Sequence, residues 1–253
     1  MRVLFIGDIF AEPGLRIVSR HLPDIRDDFD VVVANAENTA GGLGLSKAAY
    51  KRLRSAGVDV LTLGNHAWDQ REVYELIETE PIVRAQNYPP GTPGKGWWRL
   101  EAAGESLLVC QMMGRLFMDP LEDPFRGMDA LLAEQPTDHV LLEVHAEATA
   151  EKLALARYLD GRVAAVLGTH THVPTADAEI LPGGTGYQTD VGMTGTYDGI
   201  IGGEVHSFLS RFLTQRPTRF RAQEGPARFY ATALEFEKGR CVSIKPYRFD
   251  EPV

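Results

Sequence analysis

The chain has 253 residues, 44% hydrophobic and 24% charged, enough for one large core or two small ones and too evenly composed for disorder, a collagen-like repeat or a coiled-coil rod. Lys and Arg number 26 against 35 Asp and Glu, a formal net charge of −9, which excludes a general nucleic-acid coat. A phosphate-bearing ligand must then be attracted by something other than the overall side-chain charge.

The N-terminal apolar run Val3–Ile6 is too short for a secretory signal, and no stretch of about 18 apolar residues follows, so a cytoplasmic protein without a membrane partner is expected. Four further near-continuous runs, Val31–Val33, Val58–Leu63, Val140–Val144 and Val163–Leu167, predict buried and mostly parallel strands. Between them Ser46 is a predicted N-cap for a helix over Lys47–Ala56, Gln70–Glu78 reads as a polar-faced helix, and Thr149 caps a helix over Ala150–Leu159. From Trp97 the pattern changes to antiparallel pairs. Trp97–Leu100 and Leu107–Met112 flank the turn Ala102–Ser106, and Ala176–Leu181 meets Tyr187–Thr189 across Pro182-Gly183-Gly184. Strand patterns resume on both sides of the Gly- and Pro-rich segments Gln86–Gly96 and Gly183–Gly186, and there is no 20–50-residue repeat. Residues 1–253 are therefore expected to form one domain. Cys110 and Cys241, the two cysteines, sit in strand-like segments, so neither a disulfide scaffold nor a Cys-rich zinc site is available. Arg211–Arg228 is locally basic and irregular, either a loop that is solvated or faces another subunit of a homo-oligomer, or a phosphate-steering element.

The chemistry is concentrated directly after the strands. Val3–Ile6 leads to Asp8, Val31–Val33 to Asn35, Glu37 and Asn38, Val58–Leu63 to Asn65 and His66, Val140–Val144 to His145, and Val163–Leu167 to His170 and His172. In an open α/β sheet the carboxyl ends of the strands line one crevice, so these residues should converge. Singly, Asp8 and Asn65-His66 are equally well explained as turn residues, and His145 is better explained as a structural histidine than as a ligand. His170 and His172, two imidazoles at i and i+2 on a strand-end loop, favour metal. Four of the seven histidines share these positions, whereas His21, His139 and His206 are expected at the surface or at helix ends.

A pair of divalent ions about 3.5–4 Å apart needs a carboxylate and a hydroxide between them, and either Glu37 or Asp8 could bridge. Two carboxylates and a hydroxide leave such a centre about +1, so it attracts phosphate inside an acidic protein. Imidazole and oxygen donors without thiolate suit Mn, Fe, Zn or Ni.

Gly7-Asp8, Gly64-Asn65-His66, His145 and Gly168-Thr169-His170-Thr171-His172 resemble, in order, most motif blocks of the calcineurin-like metallophosphoesterase superfamily, from the first strand to residue 172. Two departures, Phe10 where the superfamily has a histidine and Ala36-Glu37-Asn38 where it has a Gly-Asp block, resemble its YmdB-like branch. So do the segments Asn35–Gly42 and Thr189–Gly195. The resemblance implies a four-layer αββα sandwich with two mixed β-sheets, two divalent or trivalent metal ions, iron or manganese first, and phosphodiesterase action on cyclic nucleotides, including 2′,3′-cyclic ones. It further implies that Asp8, Asn38 and His172 hold one ion, Asn65, His145 and His170 the other, and Glu37 bridges them, with Asn38 as an amide-oxygen donor in place of the absent histidine.

His66, diverging from its neighbour Asn65, is placed to face the leaving group. On this hypothesis a metal-bridging hydroxide attacks phosphorus in line while His66 protonates the departing oxygen. Thr39 and Gly41 could let a substrate approach the backbone, and Gly192 and Thr194 could donate N–H groups to phosphate, or the second segment could instead position the metal loops. Trp97-Trp98 and Tyr88-Pro89-Pro90 either stack a base or pack beneath a loop. The expectation is a phosphodiesterase for small phosphoester substrates. Its alternatives are a phosphomonoesterase or nucleotidase with the same centre, and a metal-containing scaffold for an RNA-processing partner.

Overall fold

The structure, a computed structural model, describes residues 1–252 and holds two mixed β-sheets. In the first, β1 (Arg2–Ile6), β2 (Val31–Asn35), β3 (Val60–Leu63) and β4 (Ile82–Arg84) run parallel. The long strand β12 (Ala227–Glu237) closes this run antiparallel to β1. Its other edge pairs with β13 (Arg240–Asp250), and β11 (Gly195–Thr196) also pairs antiparallel with β12. The second sheet has six strands. Its parallel centre is β6 (Glu105–Met113), β7 (His139–His145), β8 (Ala165–Thr169) and β10 (Gly186–Gln188), flanked by the antiparallel edges β5 (Trp97–Ala102) and β9 (Glu179–Ile180).

Strand alternation assigns the layers. Val3, Phe5, Val31 and Val33 pack with Leu107, Val109, Leu141 and Leu167 in a core between the sheets. The intervening residues Leu4, Ile6, Val32 and Leu61 face outward onto α1 (Ala11–Ile25), α2 (Lys47–Ala56) and the single turn α3 (Val73–Leu76). On the far side, Leu108, Cys110, Leu142 and Val166 meet α4 (Pro124–Glu134) and α5 (Thr149–Tyr158). Both sheets thus bury both faces, which is why their central strands read as unbroken apolar runs; each fully buried Val, Leu or Phe contributes about 1.5–3 kcal/mol. This is the expected αββα order of layers. The sixth helix, α6 (Val205–Thr214), buries no residue.

Several local expectations change. Ser46 caps α2 by accepting from the Ala49 N–H at 3.2 Å, as predicted. Thr149, however, is the first residue of α5, whose N-cap is Ala148 without a side-chain bond. The helix expected over Gln70–Glu78 contracts to the single turn Val73–Leu76; the buried residues of the segment are Val73, Leu76 and Ile77, and the rest of it is polar or exposed. His21 and His139 are buried, not superficial: His21 stacks on Phe249 at 3.8 Å and bonds Tyr247, and His139 bonds Glu105. Cys110 and Cys241 are both free and buried.

The inner faces turn polar as the parallel strands end. Val31 and Val33 are followed on the same face by Asn35 and Glu37, Leu141 by Glu143 and His145, and Leu167 by Thr169. A period of two therefore carries each strand from the core directly into the crevice above it.

Candidate metal centre

Five strand-end loops from the two sheets meet there. His145 Nε2 lies 2.8 Å from Asn65 Oδ1, 2.9 Å from Glu37 Oε1 and 3.1 Å from His170 Nδ1. One ring nitrogen offers a single hydrogen or a single lone pair and cannot satisfy three neighbours. Four donors aimed at one point suit a cation, and Glu37, His145 and His170 bring ligand atoms within 4.8 Å of one another. Beside them, Asp8 Oδ1 and Asn38 Oδ1 are buried acceptors with no hydrogen-bond partner among the described residues. Such orphans are costly unless a cation or water occupies the space they face.

Each histidine has one nitrogen tied to the protein. His145 Nδ1 bonds Thr169 Oγ1 at 2.9 Å, and that hydroxyl donates to Glu143 Oε1 at 2.6 Å. His172 Nδ1 donates to the Ile201 carbonyl at 3.0 Å, and His170 Nε2 lies 3.2 Å from Glu147 Oε2. These bonds leave His145 Nε2, His172 Nε2 and His170 Nδ1 as the free nitrogens, the arrangement by which outer partners fix a ligand tautomer. Glu143 also accepts from Asn35 Nδ2 at 2.7 Å, and Asn35 Oδ1 in turn accepts the Glu37 N–H at 3.1 Å. One buried carboxylate thus ties together the ligand loops of both sheets.

His170 and His172 hold left-handed backbone, φ 95° and 64°, a conformation non-glycine residues keep only when their surroundings enforce it. The restraint is visible. Asp190 Oδ2 accepts from the Thr171 N–H and hydroxyl between them, and from the buried Lys152 Nζ at 2.9 Å. Lys152 also donates to the Thr169 carbonyl at 2.7 Å. The 189–195 segment carrying Asp190 lies so close that a Cβ on Gly168 would sit 1.7 Å from the Thr189 carbonyl oxygen, and one on Gly7 2.0 Å from that of Gly192. This favours the positioning alternative for that segment. The Thr194 hydroxyl donates to the Tyr230 carbonyl, Gly192 and Thr194 are both buried, and neither lines the cavity over the centre. Thr39 is buried with its hydroxyl on the Ala36 carbonyl. Gly41 is exposed, and it is Gly42 that lines the cavity. Trp97, Trp98 and Tyr88 stand outside it, Tyr88 edge-on to Trp68.

The charges are strongly coupled. Burial pushes the Glu37 carboxyl up, but His145 overcomes this and holds it at about 2. Burial opposes protonation of His145, yet Glu37 raises it to about 10. Burial and the neighbouring His145 push His170 down to about 3, and burial lowers His172. Asp8 is pushed well up by burial against the pull of His145.

A pH signature of the metal-free protein follows. The raised His145 contributes stability that is complete below its ordinary 6.5 and lost as pH rises through about 10. The depressed Glu37 contributes above its ordinary 4.5 and is lost as pH falls through about 2. These are two views of one ion pair, so chelator-treated protein should melt highest between these limits and lower on the alkaline side. Loading with a divalent ion requires neutral imidazole and should flatten the alkaline slope. A metal-free melting temperature independent of pH above 6.5 would contradict this.

His66 stands apart from the donor cluster. Its backbone N–H donates to Glu37 Oε2 at 2.8 Å, its ring Nδ1 lies 2.6 Å from Asp69 Oδ2, and its side chain lines the cavity. The five residues Asp69, Glu143, Glu147, Lys152 and Asp190 were not among the expected site residues. Two of them carry a sequence signal: Glu143 shares the inner face of its strand with His145, and Asp190 lies in the Thr189–Gly195 segment.

A family model described as YmdB-like protein matches residues 4–247. A Bacillus subtilis (strain 168) protein named 2′,3′-cyclic-nucleotide 2′-phosphodiesterase is 45% identical, covering 97% of this chain and 95% of its own. A crystal structure described as a hypothetical protein from Thermus thermophilus is 69% identical with a TM-score of 0.99, covering 100% of both chains. A structure of a novel phosphatase from Mycoplasma pneumoniae is 29% identical with a TM-score of 0.95, covering 99% of this chain and 94% of its own.

Proposed function

The chain belongs to the YmdB-like family, and from that premise we propose that it is a single-domain, cytoplasmic di-metal phosphodiesterase acting on small nucleotide phosphodiesters, 2′,3′-cyclic nucleotides among them. The observation that carries this reading is the meeting of unsatisfied donors. His145 Nε2 faces three neighbours it cannot bond at once, and Asp8 Oδ1 and Asn38 Oδ1 are buried without partners among the described residues. We assign Asp8, Asn38 and His172 to one ion, Asn65, His145 and His170 to the other, and Glu37 between them. The mixture of imidazole, amide and carboxylate donors suits iron or manganese, and also zinc or nickel.

Bound ions supply Lewis-acid charge to the phosphoryl oxygens and an activated water nucleophile. The chain's own residues do the rest. Asp8 and Glu37 offset about two of the four positive charges, so the centre remains cationic in a protein of net charge −9 and draws in the phosphate. The His66 ring, held at Nδ1 by Asp69, presents Nε2 to the cavity and gives its proton to the departing ribose oxygen. Because Glu37 accepts the His66 N–H, the acid is fixed relative to the proposed bridge.

The test is hydrolysis by metal-loaded protein of a panel of 2′,3′-cyclic nucleotides, 3′,5′-cyclic nucleotides and monophosphates. Cleavage of diesters supports the proposal, and cleavage of monoesters alone overturns it. For His66→Asn, kcat on a cyclic nucleotide should fall about 10²–10⁴-fold with metal content unchanged. Bis(p-nitrophenyl) phosphate, whose leaving group departs without a proton, should lose far less. Equal losses on both substrates would remove His66 as the acid.

A further inference from the structure

The cavity over the centre, about 430 Å³, has two unlike sides. One carries Glu37, Asn38, His170 and His172 of the donor cluster; the other is formed by the carbon-only side chains of Phe10, Leu43, Ile201, Phe208 and Phe220. Leu43 and Phe220 remain 38% and 37% exposed, in the same cavity as Glu37, His170 and His172. Exposed apolar surface continuous with an anion-attracting centre fits a ligand whose planar apolar part adjoins a phosphate.

We propose that this wall is the nucleobase subsite, with Phe220 as the stacking residue, and that it holds the base by its face without reading its hydrogen-bonding edge. The proposal rests on the nucleotide phosphodiesterase reading. Phe10 and Phe208 meet the Phe220 ring at 72° and 78°, with centroids 6.1 and 6.4 Å away, so neither lies flat on it. The wall is firmly seated. A Cβ on Gly42 would come 2.6 Å from the Phe220 ring, and one on Gly203 2.3 Å from the Phe208 ring, so both rings rest against bare backbone from different loops. Phe10 joins the two sides, packing edge-on at 5.4 Å from His172. It occupies the position where the superfamily pattern has a histidine, so the lost imidazole is replaced by part of the wall. None of the five side chains bears a donor or acceptor, so the wall itself has no means of telling one base from another.

The test is calorimetric binding to the metal-loaded full chain of adenosine 3′-monophosphate against methyl riboside 3-phosphate, which lacks only the base. The nucleotide should bind about 5- to 150-fold more tightly, the range for stacking one base on an aromatic ring. Phe220→Ala should erase most of that advantage while leaving the base-free ligand unchanged. Phe220→Trp should keep it, and the four nucleoside 3′-monophosphates should agree within about tenfold. Equal binding of both ligands by the parent protein, or an equal loss of both in Phe220→Ala, overturns the subsite. Tighter binding of the nucleotide than of the base-free ligand, without hydrolysis of any diester, leaves the subsite standing and removes the phosphodiesterase reading. Diester hydrolysis with equal binding of the two ligands does the reverse.

Discussion

Glu37→Gln is expected to lower diester turnover by on the order of 10³-fold or more and to reduce the bound metal below two ions per chain, with the fold retained. Glutamine has nearly the shape of glutamate, and its carbonyl can still accept the His66 N–H now received at 2.8 Å. What changes is the other oxygen, 2.9 Å from His145 Nε2, where an NH₂ group without charge would point at the proposed cation position. Every other donor in the cluster except Asp8 is neutral in the loaded state, so Glu37 is half of the negative charge that the protein's own ligands set against two ions. Metal analysis, steady-state kinetics and circular dichroism on the same preparation check this. Two ions per chain with activity within tenfold of the parent would show that Glu37 is not the bridge.

The same residue illustrates what was legible in advance. Glu37 follows an apolar strand, as do Asp8, Asn65, His145 and His170, and polar residues at the ends of parallel strands converge by the geometry of the sheet. The central strands and α2 were equally plain, the latter between the Ser46 cap and Gly57, whose φ of 105° ends it. Other elements were masked. Helix α1 contains Pro13, Gly14 and Pro23, which read as breakers, although a proline in the first turn costs no intrahelical bond. Helix α4 carries a local start signal in Asp123-Pro124: Asp123 accepts from the Phe125 and Arg126 N–H groups with Pro124 at the first helical position. The aromatic wall had no local sign at all. Phe10, Leu43, Phe208 and Phe220 come from distant parts of the chain, and α6, which carries Phe208, buries nothing; only the folded loops bring these rings beside the centre.

The loop between His170 and His172 depends on charge buried well beneath it, and Lys152→Met should expose that dependence. The Lys152 and Asp190 side chains are both buried, and Asp190 Oδ2 takes the ammonium at 2.9 Å together with the Thr171 N–H at 3.1 Å and hydroxyl at 2.8 Å. Methionine fills the volume but leaves the carboxylate without its counter-charge. That costs about 3–5 kcal/mol, or roughly 6–20 °C in melting temperature for a chain of this size. Lys152→Met combined with Asp190→Leu removes both charges and should regain part of the stability. The recovery is incomplete because Thr171 and the Gly192 N–H, bonded to Asp190 at 2.9 Å, lose their acceptor. Metal affinity should behave differently. Without Asp190 the Thr171 N–H and hydroxyl lose their shared acceptor, and the left-handed backbone on either side can relax, so the double variant should still bind metal about 10–100-fold more weakly than the parent. Calorimetric melting and competitive metal titration of both variants separate the two effects. If the double variant recovered metal affinity along with stability, the pair would serve packing alone, and the strain at His170 and His172 would have to be held by the loop itself.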